Sequence, residues 1–142
     1  EKRLDSLFVR LDAEYEEDWF AAGNEPDFQV PWIYNWIKKP EKTSKIIKRI
    51  LDEMYSSNVD GLPGNDDLGT MGSWYVFASV GLYPLIPGVG GFSLNIPQFN
   101  SVEIKTTFSI FNFLAAKQID LVVNKLFINP AIGLDSTRGT CL

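Results

Sequence analysis

The chain contains no histidine and one cysteine among its 142 residues, and each scarcity excludes chemistry. Without histidine there is no Ser-His-Asp or Cys-His nucleophilic system and no ordinary zinc site. Acid–base work then falls to carboxylates, lysine or tyrosine. Cys141 alone excludes an internal disulfide and leaves the redox compartment open. Positive charge is also short, with 13 basic against 18 acidic residues and a net charge of −5. That balance argues against a binder of phosphate backbones, so no nucleic-acid partner is expected. Six of the basic residues lie between Lys38 and Arg49, but they alternate with apolar positions, as on a solvated helix face. No apolar run approaches the roughly 20 residues of a membrane span. The first residues, Glu1-Lys2-Arg3-Leu4-Asp5, do not read as a signal peptide and lack Met. The expectation is a portion of something longer.

What is present is apolar and aromatic: 45% hydrophobic and 13% aromatic residues can fill a core. Leu4, Leu7, Phe8 and Leu11 are spaced for one helical face up to about residue 13. An acidic segment from Glu14 to Asp18 follows. Asp27 can cap a helix carrying Val30, Ile33, Tyr34 and Ile37, with Pro31 tolerated in its first turn. Pro40 opens the next helix, in which Ile46, Ile47, Ile50, Leu51, Met54 and Tyr55 oppose Lys42, Lys45, Lys48 and Arg49. Met71 to Val80 reads as a fourth helix, buried nearly all round, with Gly81 at its end. The period then shortens. "GVGGFSLNIP", "SVEIKTT" and "QIDLVVNKLFI" are β-branched runs divided by Gly, Pro and Asn, as strands are. The predicted plan is mainly α: helical hairpins over residues 1–86, then a β-rich segment over 87–142.

One turn stands out, "DGLPGNDDLGTMGSWYVF" from Asp60 to Phe77. It sets Asn65, Asp66 and Asp67 between Gly64 and Gly69, before an apolar helix. Adjacent carboxylates repel, so their pairing needs a reason. Asp66 or Asp67 can be a helix N-cap. One of them can instead stay ionised near a helix N-terminus and activate water. A calcium loop of EF-hand type fits poorly: with Gly61 as the loop glycine, Ser56 falls at the first ligand position and Asp67, not Glu, at the last.

A second polar turn, "AGNEPDFQVPWIYNW", precedes another helix. Asn24 and Glu25 offer hard oxygen ligands suited to calcium, although Asn-Glu-Pro is also a sound start for a helix. Trp19, Trp32, Trp36 and Trp74 can stack on sugar faces, but such residues more often fill cores. "GVGG", Gly88 to Gly91, lacks the preceding strand and following helix that a phosphate loop needs.

Together, "GNEPDFQVPWIYNW" and "DGLPGNDDLGTMGSWYVFASVGLYPLIPG" strongly resemble the glycoside hydrolase family 92 α-mannosidases. The likeness runs from about Gly23 to Thr106 and fades beyond Thr107, and "FINPAIGLDSTRGTCL" is an atypical ending. Members of that family are calcium-dependent, exo-acting and inverting, and many cut α-1,2-linked mannose. The resemblance implies an (α/α)6 barrel of which this chain holds the last helices. The family's N-terminal β-sandwich and the rest of the barrel are not in this chain.

By the same resemblance Asp67 matches the general base and Asp66 supports it, while Asn24 and Glu25 match part of the calcium site. Mannose-containing glycans would be the substrates, and a secreted or cell-surface location is expected. An inverting mechanism needs a base and an acid roughly 6.5–9.5 Å apart, with a water between. Two adjacent aspartates lie on the same side of that water, so the acid must come from elsewhere. The family's acid sits in a Glu-Gly-Asn-aromatic motif that this chain does not contain. The rival expectation is a non-catalytic carbohydrate-binding or structural remnant without a general acid.

Overall fold

The computed structural model describes residues 1–14, 16–86, 88, 91–105 and 110–114. Four helices come first: α1 (Lys2–Leu7), α2 (Ile33–Trp36), α3 (Pro40–Met54) and α4 (Thr70–Val80). Two antiparallel strand pairs follow. β1 (Leu82–Tyr83) pairs with β2 (Ser93–Leu94), with Leu82 opposite Leu94. β3 (Ser101–Lys105) pairs with β4 (Ile110–Leu114), with Ser101 opposite Leu114. The run from Gln118 to Ile128 lies outside the described residues.

Helix α3 forms where its pattern predicts. Pro40 takes the first position, where a missing N–H is harmless. Thr43, Ile47, Ile50 and Leu51 are buried, with Ile46 and Met54 packed beside them. Its outer face carries i,i+4 pairs, Lys48–Asp52 at 2.8 Å and Arg49–Glu53 at 2.9 Å. Arg49 also donates to the Phe8 carbonyl at 2.6 Å, which fastens α3 to the start of the chain.

Three expectations change. The first helix ends at Leu7 rather than near residue 13. Residues 11–13 instead run antiparallel to 20–22: the Ala22 N–H donates to the Leu11 carbonyl at 3.0 Å and the Ala13 N–H to Phe20 at 3.1 Å. Phe8 and Leu11 are buried all the same.

The helix drawn from Asp27 to Ile37 is broken into two 3-10 turns, Glu25–Asp27 and Val30–Trp32, before α2. Pro26 and Pro31 account for this, since each lacks an N–H and disfavours helical backbone at the residue before it. Asp27 caps nothing ahead of it; its Oδ2 accepts from the Ala21 N–H at 3.1 Å, behind it in sequence. The buried residues are Phe28, Pro31, Trp32, Tyr34 and Asn35, while Ile33 and Ile37 are part exposed and Trp36 is 49% exposed.

Helix α4 buries Met71, Trp74, Ala78 and Ser79, but Val76 is 58% exposed and Phe77 lies open beside Phe92. It is therefore not buried all round. Gly81 ends it at φ 91°, a left-handed cap that glycine adopts freely.

Of the four tryptophans, two are core. Trp32 meets Trp74 edge-on at 5.7 Å. Both indoles are satisfied: the Trp74 N–H donates to the Phe28 carbonyl at 2.9 Å and the Trp32 N–H to Asn95 Oδ1 at 3.2 Å. The Asn95 amide donates in turn to the Ala78 carbonyl at 2.9 Å. This buried asparagine joins the 3-10 turn at Trp32, α4 and the segment after β2. The site loops stand on that assembly.

Candidate functional site

The loop from α3 to α4 is tightly closed before it reaches the aspartates. The Ser56 N–H donates to the Gly61 carbonyl at 2.9 Å and the Gly61 N–H to Asn58 at 3.1 Å. Pro63 and Gly64 then come against the other polar turn. A Cβ added at Gly23 would meet the Pro63 carbonyl oxygen at 2.6 Å and the Gly64 Cα at 3.3 Å. A Cβ added at Gly64 would meet Gly23 Cα at 3.2 Å and the Met71 methyl at 3.1 Å. The turns carrying Asn24-Glu25 and Asp66-Asp67 thus touch through glycine backbone, although some 40 residues separate them in sequence.

Asp66 and Asp67 have different jobs. The Asp66 carbonyl accepts from the Met71 N–H at 3.2 Å, and its Oδ1 accepts from the Gly72 N–H at 3.0 Å. Those are first-turn amides of α4 that have no partner within the helix. Asp66 therefore caps the helix from three residues before the formal cap, Gly69, which has no side chain to do so. The Asp67 carboxylate is exposed and accepts no hydrogen bond among the described residues. Its backbone is held instead: the Thr70 N–H and hydroxyl both donate to the Asp67 carbonyl.

That backbone is strained. Asp67, Leu68 and Gly69 are all left-handed, at φ 47°, 58° and 88°. For a non-glycine residue this costs roughly 1–2 kcal/mol. Leu68 is also fully exposed, so its apolar side chain contributes no burial in return. Strain of this kind persists where surroundings enforce it, often at working sites. Thr70 is the residue that sequence reasoning passed over. Its signal was the spacing, a hydroxyl three residues after an aspartate at the start of a helix.

Asn24 and Glu25 are exposed. Their backbone closes the turn: the Asn24 N–H donates to Ala21 at 3.0 Å and the Asp27 N–H to the Asn24 carbonyl at 2.9 Å. The two side-chain oxygen groups have no hydrogen-bond partner among the described residues and suit a hard cation in type. They are too few for a shell of 6–8 oxygens. No cluster of three or more potential metal-ligating side chains occurs among the described residues.

Residues 1–129 match the profile of the glycosyl hydrolase family 92 catalytic domain. The chain belongs to that family. The match extends past Thr107, where the resemblance had faded, and only the last 13 residues fall beyond it. A solved family GH92 α-mannosidase from Bacteroides thetaiotaomicron is 33% identical over 80% of this chain, with a TM-score of 0.68. An inverting family GH92 mannosidase from the same organism is 31% identical over 69%, with a TM-score of 0.61. An uncharacterized secreted glycosidase of Arthroderma benhamiae is 37% identical over 101 residues, 70% of this chain. The chain spans 13–15% of the length of these three family relatives. Among the described residues no helix is long and apolar enough to cross a membrane.

Proposed function

We propose that this chain is the C-terminal part of the catalytic domain of an inverting, exo-acting α-mannosidase that removes terminal mannose, α-1,2-linked in particular, from glycans. On this reading residues 1–86 are the last helices of an (α/α)6 barrel and residues 87–142 a β segment behind them. The N-terminal β-sandwich, the other barrel helices and the general acid belong to the rest of the protein. A secreted or surface location goes with it.

The observation that carries the reading is the division between neighbours. Asp66 spends an oxygen on the Gly72 N–H, while Asp67 is held by its backbone and, among the described residues, keeps both carboxylate oxygens free. A general base needs that combination of fixed position and open lone pairs. Asp67 takes a proton from the attacking water, whose oxygen bonds to the anomeric carbon from the face opposite the leaving group. The acid protonates the departing oxygen, and the configuration inverts. Asp66 keeps α4 and the loop in register.

Asn24 and Glu25 would contribute oxygens to a bound calcium, with others coming from the rest of the protein, water and sugar hydroxyls. Bound there, calcium supplies positive charge that grips sugar hydroxyls and favours a distorted ring. The contact between Gly23 and Gly64 supports placing both functions at one site.

The second reading is a non-catalytic carbohydrate-binding or structural remnant. The lack of a Glu-Gly-Asn-aromatic motif favours it for this chain taken alone. Kinetics of Asp67→Asn in the full-length protein decide between them. The amide is nearly isosteric but cannot take the proton, so kcat should fall by about 10²-fold or more with KM little changed. Retention of more than about a tenth of kcat would leave the loop as a helix cap.

A further inference from the structure

Thr70 opens α4, and both of its donors turn back on one atom. Its N–H reaches the Asp67 carbonyl oxygen at 3.2 Å and its hydroxyl reaches the same oxygen at 2.5 Å. The first of these bonds closes a four-residue β-turn from Asp67 to Thr70. Both central residues of the turn, Leu68 at φ 58° and Gly69 at φ 88°, are left-handed. A turn of that hand ordinarily takes Asn, Asp or Gly at its first central position. Here the position holds leucine, and its side chain lies wholly in solvent. Neither local preference nor burial of Leu68 favours this turn, so its bonds must hold it.

Those bonds come from the first turn of α4. The Met71 N–H donates to the Asp66 carbonyl at 3.2 Å, just as the Thr70 N–H and hydroxyl donate to the Asp67 carbonyl. The Asp66 carbonyl belongs to the peptide plane before the Asp67 Cα, and the Asp67 carbonyl to the plane after it. Together these two planes set the direction of the Asp67 Cα–Cβ bond. Each is tied to the helix, the first by an amide and the second by an amide and a hydroxyl. The amides of a first helical turn are there to be satisfied whatever the side chain. The hydroxyl is not: serine would supply it, and valine, with the same shape as threonine, would not.

We propose that Thr70 is a positioning residue for the base. Its hydroxyl holds the Asp67 carbonyl, keeps the Leu68–Gly69 turn left-handed, and so aims the Asp67 carboxylate at the attacking water. The bond is to backbone and not to the carboxylate itself. This rests on the assignment of Asp67 as base, because the aim of that side chain matters to rate only if it takes the proton.

Thr70→Val and Thr70→Ser in the full-length protein, assayed on mannobiose beside Asp67→Asn, test it. Thr70→Val is expected to lower kcat by about tenfold, the rate equivalent of one net hydrogen bond, with KM within about twofold. Thr70→Ser should restore most of kcat. The acidic limb of the kcat/KM profile should stay in place, because the hydroxyl bonds a carbonyl and not the group that titrates. In a Leu68→Gly background Thr70→Val should cost less, because glycine takes the left-handed position freely. A threonine that serves stability alone gives a different signature, a lower melting temperature in Thr70→Val with unchanged kcat per folded molecule. That result overturns the proposal, as does a Thr70→Ser variant as slow as Thr70→Val. A displaced acidic limb, or an equal cost in both backgrounds, would detach the hydroxyl from the turn and overturn it too. Should Asp67→Asn itself stay active, the base assignment falls first. Should Asp67→Asn be inactive while Thr70→Val keeps wild-type kcat, only the role of Thr70 falls.

Discussion

Gly23 and Gly64 lie backbone against backbone: a Cβ at Gly64 would press on the Gly23 Cα at 3.2 Å, and one at Gly23 would meet the Gly64 Cα at 3.3 Å and the Pro63 carbonyl oxygen at 2.6 Å. That contact converts two sequence-distant polar turns into one structure. Its dependence on glycine is measurable. Gly23→Ala drives a methyl to within 2.6 Å of the Pro63 carbonyl oxygen, and neither backbone can yield cheaply. The expected cost is about 1–3 kcal/mol, seen in urea or thermal unfolding. Gly72→Ala is the control. Its Cβ would meet only Asp66 Oδ1, at 3.5 Å, and alanine favours a helix by up to about 1 kcal/mol. Equal stability of the two variants would mean that the turns do not depend on this contact.

Strain at the aspartate loop predicts a trade between stability and activity. Leu68→Gly removes a left-handed leucine and should stabilise the protein by about 0.5–1 kcal/mol without touching a carboxylate. Asp67→Gly should gain a similar amount and lose turnover. Asp66→Ala should lose about 1 kcal/mol, the usual worth of a helix cap. Thermal melts of the three, with activity on mannobiose, test the pattern. An Asp67→Gly variant less stable than wild type would show that the turn is not held against its own preference.

Much of this was legible in the sequence, and the failures have definite causes. Helix α3 and the extent of α4 followed from period and from Pro40 and Gly81, because local preference and packing agree there. The helix from Asp27 was misplaced because Pro31 was read as tolerated in its first turn, whereas together with Pro26 it leaves room only for 3-10 turns before α2. The first helix stopped early because residues 11–13 found strand partners at 20–22, a pairing that periodicity cannot reveal. β1 was missed because its two residues, between Gly81 and Pro84, are too few to show a period, and β4 because no Gly or Pro sets it apart from the run before it. At the site, residue type and spacing gave Asp66 and Asp67 as a pair. Which one caps and which stays free depends on where the Gly72 amide points.

Acid sensitivity should concentrate at the junction of α1 with α2 and α3. Lys42 bonds to Asp5 at 2.7 Å and to Glu1 at 2.8 Å, and the Tyr34 hydroxyl donates to Asp5 at 2.8 Å. Hydrogen bonding to Lys42 is the main cause that lowers the pKa of both carboxylates, with Tyr34 adding to it for Asp5. A lowered folded-state pKa gives stability that is present above the unfolded value and lost as pH falls through the folded one. The melting temperature should hold from neutral pH down to about 5 and fall below about 4. Asp5→Asn should lower it at pH 7 and reduce the acid-induced drop. Because the three charged groups, Lys42, Asp5 and Glu1, are at the surface, salt should shrink the difference. An Asp5→Asn melt that parallels wild type at every pH would show that the cluster contributes nothing.

Calcium tests the joined turns most directly. Asn24 and Glu25 present oxygens of the right hardness, but two groups fall well short of 6–8 ligands. The 142-residue chain by itself should therefore bind calcium weakly or not at all in calorimetry, and the full-length protein appreciably. Chelation should inactivate the full-length protein and calcium restore it. Asn24→Ala should raise the calcium concentration needed for half-maximal activity, because one ligand is lost while the aspartates remain. Gly23→Ala should do the same by displacing the turn rather than deleting a ligand. Magnesium should substitute poorly, since it demands tight octahedral geometry and gives up water reluctantly. Binding measured without substrate separates the two ways in which this can fail. Normal calcium affinity in Asn24→Ala would remove Asn24 from the shell, while full activity in excess chelator would remove the metal from the mechanism. In the latter case the Gly23–Pro26 turn would serve only to carry the chain into its 3-10 turns and hold Gly64 in place.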